Sequence, residues 1–186
     1  MKAFLFAVLL LGASSPTLAQ PEFPFPPVRL YRPAAESAQE FARLAKQAIE
    51  TAIAEQREKF APDAPVLAAD PDLAEIARSR SQSMADGAPF AHEDAAGNFV
   101  AADLVRTRFG PYGVIGENIM EMGSSRAISA EAFAKVAVEG WMKSPGHRKN
   151  ILDPDYTQSG IGVAIKNGTA YATQVFFGPA KNAGRG

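Results

Sequence analysis

The chain contains no cysteine. Disulfides, thiol catalysis, cysteine-bound metals and a lipid-modified N-terminal cysteine are therefore all excluded. Histidine is scarce as well, with only His92 and His147. Neither sign of charge dominates, since 19 Lys and Arg stand against 20 Asp and Glu. That balance gives no electrostatic footprint for a nucleic-acid partner. No apolar run is long enough to cross a bilayer comfortably, the longest being Ala3 to Ala13. No internal repeat is visible. What is present is a hydrophobic share of 47%, in 186 residues, which suits one globular domain with a real core.

The short apolar run has the form of a targeting signal. Lys2 supplies the positive start, Ser14-Ser15-Pro16 breaks the run, and Thr17-Leu18-Ala19 offers small residues before a cut. A signal peptide over 1–19 is predicted, with the mature chain starting at Gln20. An uncleaved N-terminal anchor is the competing reading. Residues 20–36 are proline-rich and interleaved with Phe23, Phe25, Leu30 and Tyr31, which denies regular helix and sheet. They read as a linker or strap. Residues 37–180 form the predicted domain, and 181–186 a loose polar tail.

Within the domain, helical spacing starts at Ser37 and continues to about Phe60, with Phe41, Leu44, Ala45, Ala48, Ile49, Ala52 and Ile53 on one face. A second helix starts with Asp70 as N-cap and Pro71 at its first position, and ends near Gly87. A short third helix spans Phe99 to Phe109. Val114 to Met120 reads as a buried strand. Ser129 caps a long helix in which Phe133, Val136, Ala137, Gly140 and Trp141 recur at helical spacing. A short helix restarts at Ser144-Pro145. Ile161, Val163 and Ile165 alternate, Asn167-Gly168 is a hairpin turn, and Tyr171, Thr173, Val175 and Phe177 return. Three helices, a strand, two helices and a hairpin make an α+β fold, a small antiparallel sheet covered by helices.

Three residues in this pattern carry possible chemistry. Glu117 stands in an apolar run, where an unpartnered carboxylate costs several kcal/mol or neutralises. It is a surface residue at a bulge or a paired residue in a site. Asn118 beside it can satisfy nearby backbone groups. His147 falls in the first turn of a helix, where the dipole disfavours its protonation. A neutral imidazole there can bind a metal, accept a proton or hold a ligand. His92 stands in a loop beside Glu93 and Asp94, which need not converge on it.

Gly116-Glu117-Asn118-Ile119, Ser144-Pro145-Gly146-His147-Arg148-Lys149-Asn150-Ile151-Leu152 and Ile161-Gly162-Val163 follow His92 in order. Together they resemble the CAP superfamily (cysteine-rich secretory proteins, antigen 5 and pathogenesis-related proteins; the SCP domain), in its bacterial, cysteine-free branch. The resemblance covers about Ser37 to Pro179. It implies a three-layer α-β-α sandwich, which agrees with the element order. It also implies a cleft with two histidines and two acids. His92 matches the first histidine, Glu117 the acid of the Gly-Glu-Asn motif, and His147 the second histidine. The second acid is expected three residues after the helix tryptophan, where this chain has Ser144. Glu139 matches no motif position and should lie on another side of its helix.

Two neutral imidazoles and a carboxylate can hold a divalent ion such as zinc and leave a place for water. Without metal, Glu117 can orient an imidazole that acts as a base. No nucleophile is evident, and a capping serine such as Ser144 usually has its oxygen engaged by a backbone N–H. Two classes of function follow. The first is a secreted (periplasmic or extracellular) SCP-domain protein, non-enzymatic, whose His92, Glu117 and His147 cleft binds a divalent ion or a small envelope or lipid-like ligand. The second is an extracytoplasmic hydrolase using the same three residues as catalytic groups. Neither involves a nucleic-acid partner or a transmembrane segment in the mature chain.

Overall fold

The computed structural model describes residues 37–123 and 128–180. The predicted signal peptide (1–19), linker (20–36) and tail (181–186) lie outside the described residues. Helix α1 spans Ala38–Phe60; Ser37 caps it, its side chain accepting from Glu40 N at 3.1 Å. Phe41, Ala45, Ile49, Ile53 and Arg57 recur every fourth residue and are buried. Next come a two-residue strand β1 (Ala68–Ala69) and α2 (Pro71–Ala85). The Asp70 carboxylate caps α2 by accepting from Asp72 N and Leu73 N, each at 2.9 Å. Helix α3 (Val100–Phe109), β2 (Val114–Met122), α4 (Ala130–Lys143), α5 (Pro145–Leu152), β3 (Gln158–Lys166) and β4 (Thr169–Gly178) complete the order.

The sheet runs β1-β3-β4-β2. The β3–β4 hairpin turns at Asn167-Gly168, both at positive φ (53° and 84°), as a tight turn with Asn-Gly requires. Strand β2 pairs with β4 antiparallel over its full length, Glu117 opposite Val175. Strand β1 pairs with β3 in parallel, so the sheet is antiparallel except at this edge. Sequence reading missed β1. Two alanines carry no periodicity, and this strand exists only through pairing, by Ala68 N to Thr157 O (2.9 Å) and Asp70 N to Ser159 O (3.0 Å).

Helices cover both faces, giving the α+β three-layer sandwich. One core joins α1, α4 and α5 to the sheet through Phe41, Ile49, Phe133, Trp141, Ile151 and Ile161. Burying each large side chain contributes about 1.5–3 kcal/mol. The Trp141 indole N–H donates to Ile119 O at 2.9 Å, tying α4 to β2. Val136, expected in the α4 periodicity, is instead 44% exposed. The stripe facing the core is Phe133, Ala134, Ala137, Val138 and Trp141, and Val136 falls on the far side. The second core joins α2 and α3 to the other sheet face through Leu73, Ala77, Ala101, Val105, Val175 and Phe177.

On that second face β3 presents Gly160 and Gly162 to α2. A Cβ at Gly162 would lie 2.0 Å from Arg78 N, and one at Gly160 2.0 Å from Ala74 N. Helix backbone therefore rests directly on strand backbone. This close approach sets how far the side chains of α2 reach across the sheet.

Candidate functional site

The reach of α2 delivers two polar side chains into the interior. Ser81 donates to Gly162 O at 3.0 Å and meets the Thr173 hydroxyl at 2.9 Å. Arg80, one residue earlier, is 5% exposed. Its Nε donates to Glu117 Oε1 at 2.8 Å, and one Nη donates to Ala91 O at 2.7 Å and to Glu117 Oε2 at 3.4 Å. The Glu117 side chain is fully buried. Of the two readings of Glu117, pairing is therefore the one realised, and its partner is a cation that sequence reading did not single out.

The second Glu117 oxygen holds His92. Nδ1 of His92 lies 2.8 Å from Oε2. Three nitrogens converge on a carboxylate that can only accept, so Nδ1 carries a proton and donates. In the neutral ring the lone pair then belongs to Nε2. The loop under His92 is built by Asp94, whose Oδ1 accepts from Ala96 N (2.8 Å) and Asn98 N (2.9 Å). Asp94 is thus engaged in shaping the loop, while Glu93 bridges Phe99 across it. Arg80 braces the same loop through Ala91 O.

His147 comes from α5, with its ring centroid 5.7 Å from that of His92 and the planes 62° apart. Its position is locked through the neighbouring motif. Asn118 Nδ2 donates to His147 O (3.3 Å), and Asn150 Nδ2 donates to Asn118 Oδ1 (3.0 Å) and Glu117 O (3.1 Å). Asn118 does satisfy a backbone group, and the group belongs to the site. His147 titrates below the ordinary histidine value. Burial is the first cause, repulsion from His92 the second, and Glu117 opposes both. The expected direction holds, but desolvation heads the causes, where the helix dipole was expected to.

His92, Glu117, Ser144 and His147 line one open cleft. Ser144 is the N-cap residue of α5, yet its side chain makes no capping hydrogen bond, contrary to the expectation that its oxygen is engaged. Pro145 follows it, and the Ser144 carbonyl accepts the first intrahelical bond from Arg148 N at 2.8 Å. Glu139 points elsewhere on α4, 3.9 Å from Lys135.

Arg80 left a signal in the sequence. It continues the Leu73, Ala77 row of buried positions on α2, seven residues after Leu73. An arginine on a buried row demands an acid, and Glu117 is an acid in an apolar strand.

The donor set bears on a metal. Among the described residues no three His, Asp or Glu side chains are placed to hold an ion together. Glu117 does not fit as a ligand, because Arg80 and His92 occupy both its oxygens. The two imidazoles remain as donors with ring centroids 5.7 Å apart, and Glu117 orients one of them from behind.

The model of the cysteine-rich secretory protein family, CAP, matches residues 61–177, more than half of the chain. The uncharacterized protein YkwD of Bacillus subtilis is 33% identical over 112 residues, which is 60% of this chain and 39% of that protein. The crystal structure of an extracellular SCP-domain protein from Bacillus anthracis is 26% identical and superposes with a TM-score of 0.58, covering 76% of this chain and 42% of that one. An outer surface protein of Borrelia burgdorferi shares the fold at 15% identity, with a TM-score of 0.60 over 73% of this chain and 92% of its own. The chain thus spans less than half the length of both Bacillus relatives.

Proposed function

The chain belongs to the cysteine-rich secretory protein family, and from that membership we propose that it is an exported binding domain without a catalytic step. Its cleft takes a divalent ion, or a small envelope ligand, between His92 and His147. One observation carries this reading: the Arg80–Glu117–His92 chain, in which the buried carboxylate is engaged at both oxygens. Glu117 is left neither as a base nor as a nucleophile. Its role is to fix the tautomer of His92 and leave Nε2 available. Bound there, a divalent ion would supply Lewis acidity and a fixed charge. The residues of the chain supply two imidazole donors and the frame that orients them. A site with two protein ligands and water binds weakly.

The hydrolase reading of His92, Glu117 and His147 needs a nucleophile, either a water activated by an imidazole or a side-chain hydroxyl. Ser144 is in the cleft wall, but none of the described hydrogen bonds joins its Oγ to either imidazole.

Export is supported by the Lys2, Ala3–Ala13 and Thr17–Ala19 pattern. Among the described residues no helix is long and apolar enough to cross a membrane. N-terminal sequencing of protein recovered outside the cytoplasm is expected to begin at Gln20. A chain still starting at Met1 would defeat the cleavage.

Isothermal titration with zinc tests the cleft. The parent is expected to bind one ion per chain, and His92→Ala and His147→Ala each to weaken it by about tenfold or more, with melting temperatures near the parent. Protons compete for the same lone pairs, so affinity falls as pH drops. At His147 that competition begins below the ordinary histidine value, because its pKa is lowered. Equal affinity in the parent and both variants would show that the imidazoles are not ligands.

A further inference from the structure

A second cavity lies away from the histidine cleft and shares no lining residue with it. It encloses about 430 Å³ between the C-terminal half of α1, the connection from Ala61 to Leu67, and the face of β3 and β4. That volume is in the range of small-molecule sites. Its walls are mainly apolar, from Ile53, Ala54, Pro62, Leu67 and Ile161.

Five polar side chains stand in this lining, and two of them, Gln174 and Arg57, hold buried atoms without a hydrogen-bond partner. Gln174, opposite Ile161 in the β3–β4 register, is fully buried, and neither its Oε1 nor its Nε2 has a hydrogen-bond partner. Arg57 is 5% exposed. Its terminal nitrogens donate to the carbonyls of Ile151 (2.6 Å), Asp153 (3.1 Å) and Pro65 (2.5 Å), while its Nε has no partner. Buried polar atoms are nearly always paired, and here two donors and one acceptor on one cavity are not.

Their complement is a group that accepts twice and donates once. A carboxamide does this with two atoms side by side. With the two side chains turned toward the cavity, its oxygen would accept from Gln174 Nε2 and Arg57 Nε, and its N–H would donate to Gln174 Oε1. A carboxylate brings no proton for Oε1, and it would pass Glu50 and Glu58 at the cavity wall. A hydroxyl has the right count but only one atom, which cannot span an amide face to face.

We propose that this cavity binds a small apolar molecule carrying one uncharged carboxamide head, which Gln174 and Arg57 recognise. The site is independent of the cleft and of any metal there. The test is calorimetric titration of the full chain with octanamide, octanoate and 1-octanol, without zinc. The parent is expected to bind one octanamide about tenfold more tightly than either analogue. Gln174→Leu removes both unpartnered atoms, so its melting temperature should equal or exceed that of the parent while the preference for octanamide disappears. Ala54→Phe narrows the cavity from α1 and should weaken octanamide without touching Gln174. Equal affinity of the parent for all three probes would mean an apolar hollow with water on Gln174, and would overturn the proposal. So would a preference that survives Gln174→Leu, or, if that variant does not fold, unchanged octanamide affinity in Ala54→Phe.

Discussion

Arg80→Met is expected to destabilise the fold by about 3–5 kcal/mol, the usual result of removing one member of a buried ion pair. The reason lies in what remains. The Glu117 side chain has no exposure and would keep only its bond to His92, while Ala91 O would lose its donor. Arg80→Met/Glu117→Leu should recover much of the loss, because no buried charge is then left uncompensated. Urea unfolding of parent, both single variants and the double variant measures this coupling. A double variant as unstable as the sum of the singles would show that the pair does not act as a unit. In Arg80→Met the His92 loop also loses its brace, so zinc affinity is expected to fall by about tenfold, within the usual effect of groups behind a metal ligand.

Gly162→Ala is expected to cost about 3 kcal/mol or more, at the upper end for overpacking a core. Its Cβ would meet Arg78 N at 2.0 Å and Ala77 C at 2.3 Å. Both are backbone atoms, so no rotamer change relieves the contact, and α2 must lift from β3. Arg80 would be displaced with it, two residues beyond the clash. Thermal unfolding reads the loss. A melting temperature within a degree or two of the parent, roughly the scale of a few tenths of a kcal/mol, would mean that α2 does not rest on the strand as described.

The fold was legible where local chemistry and tertiary packing agree. Asp70 and Ser129 cap their helices as their residue types suggest, and Asn167-Gly168 turns the hairpin. Strand β1 was not legible, because Ala68 and Ala69 become a strand only by lying beside Gln158 and Ser159. Val136 was misplaced because spacing alone does not fix which side of a stripe a neighbouring apolar residue takes. At the site, the oddity of Glu117 was readable, and so was His147 in the first turn of α5. The partner of Glu117 was harder to find. Arg80 lies 37 residues away in sequence, and its meaning appears only when α2 is placed on the sheet. Ser144 shows the limit of a local rule. The residue type suits a cap, yet its hydroxyl makes no capping bond.

In the proposed site His92 and His147 act as a pair in one cleft, with Glu117 holding His92 by Nδ1. Long-range ¹H–¹⁵N spectra of the two imidazoles, recorded while zinc is added, test it most directly. Neutral His92 is expected to carry its proton on Nδ1 before zinc, and one equivalent of zinc to shift Nε2 of His92 together with one ring nitrogen of His147. A His92 protonated on Nε2, or saturation with zinc that leaves either ring unmoved, would contradict it.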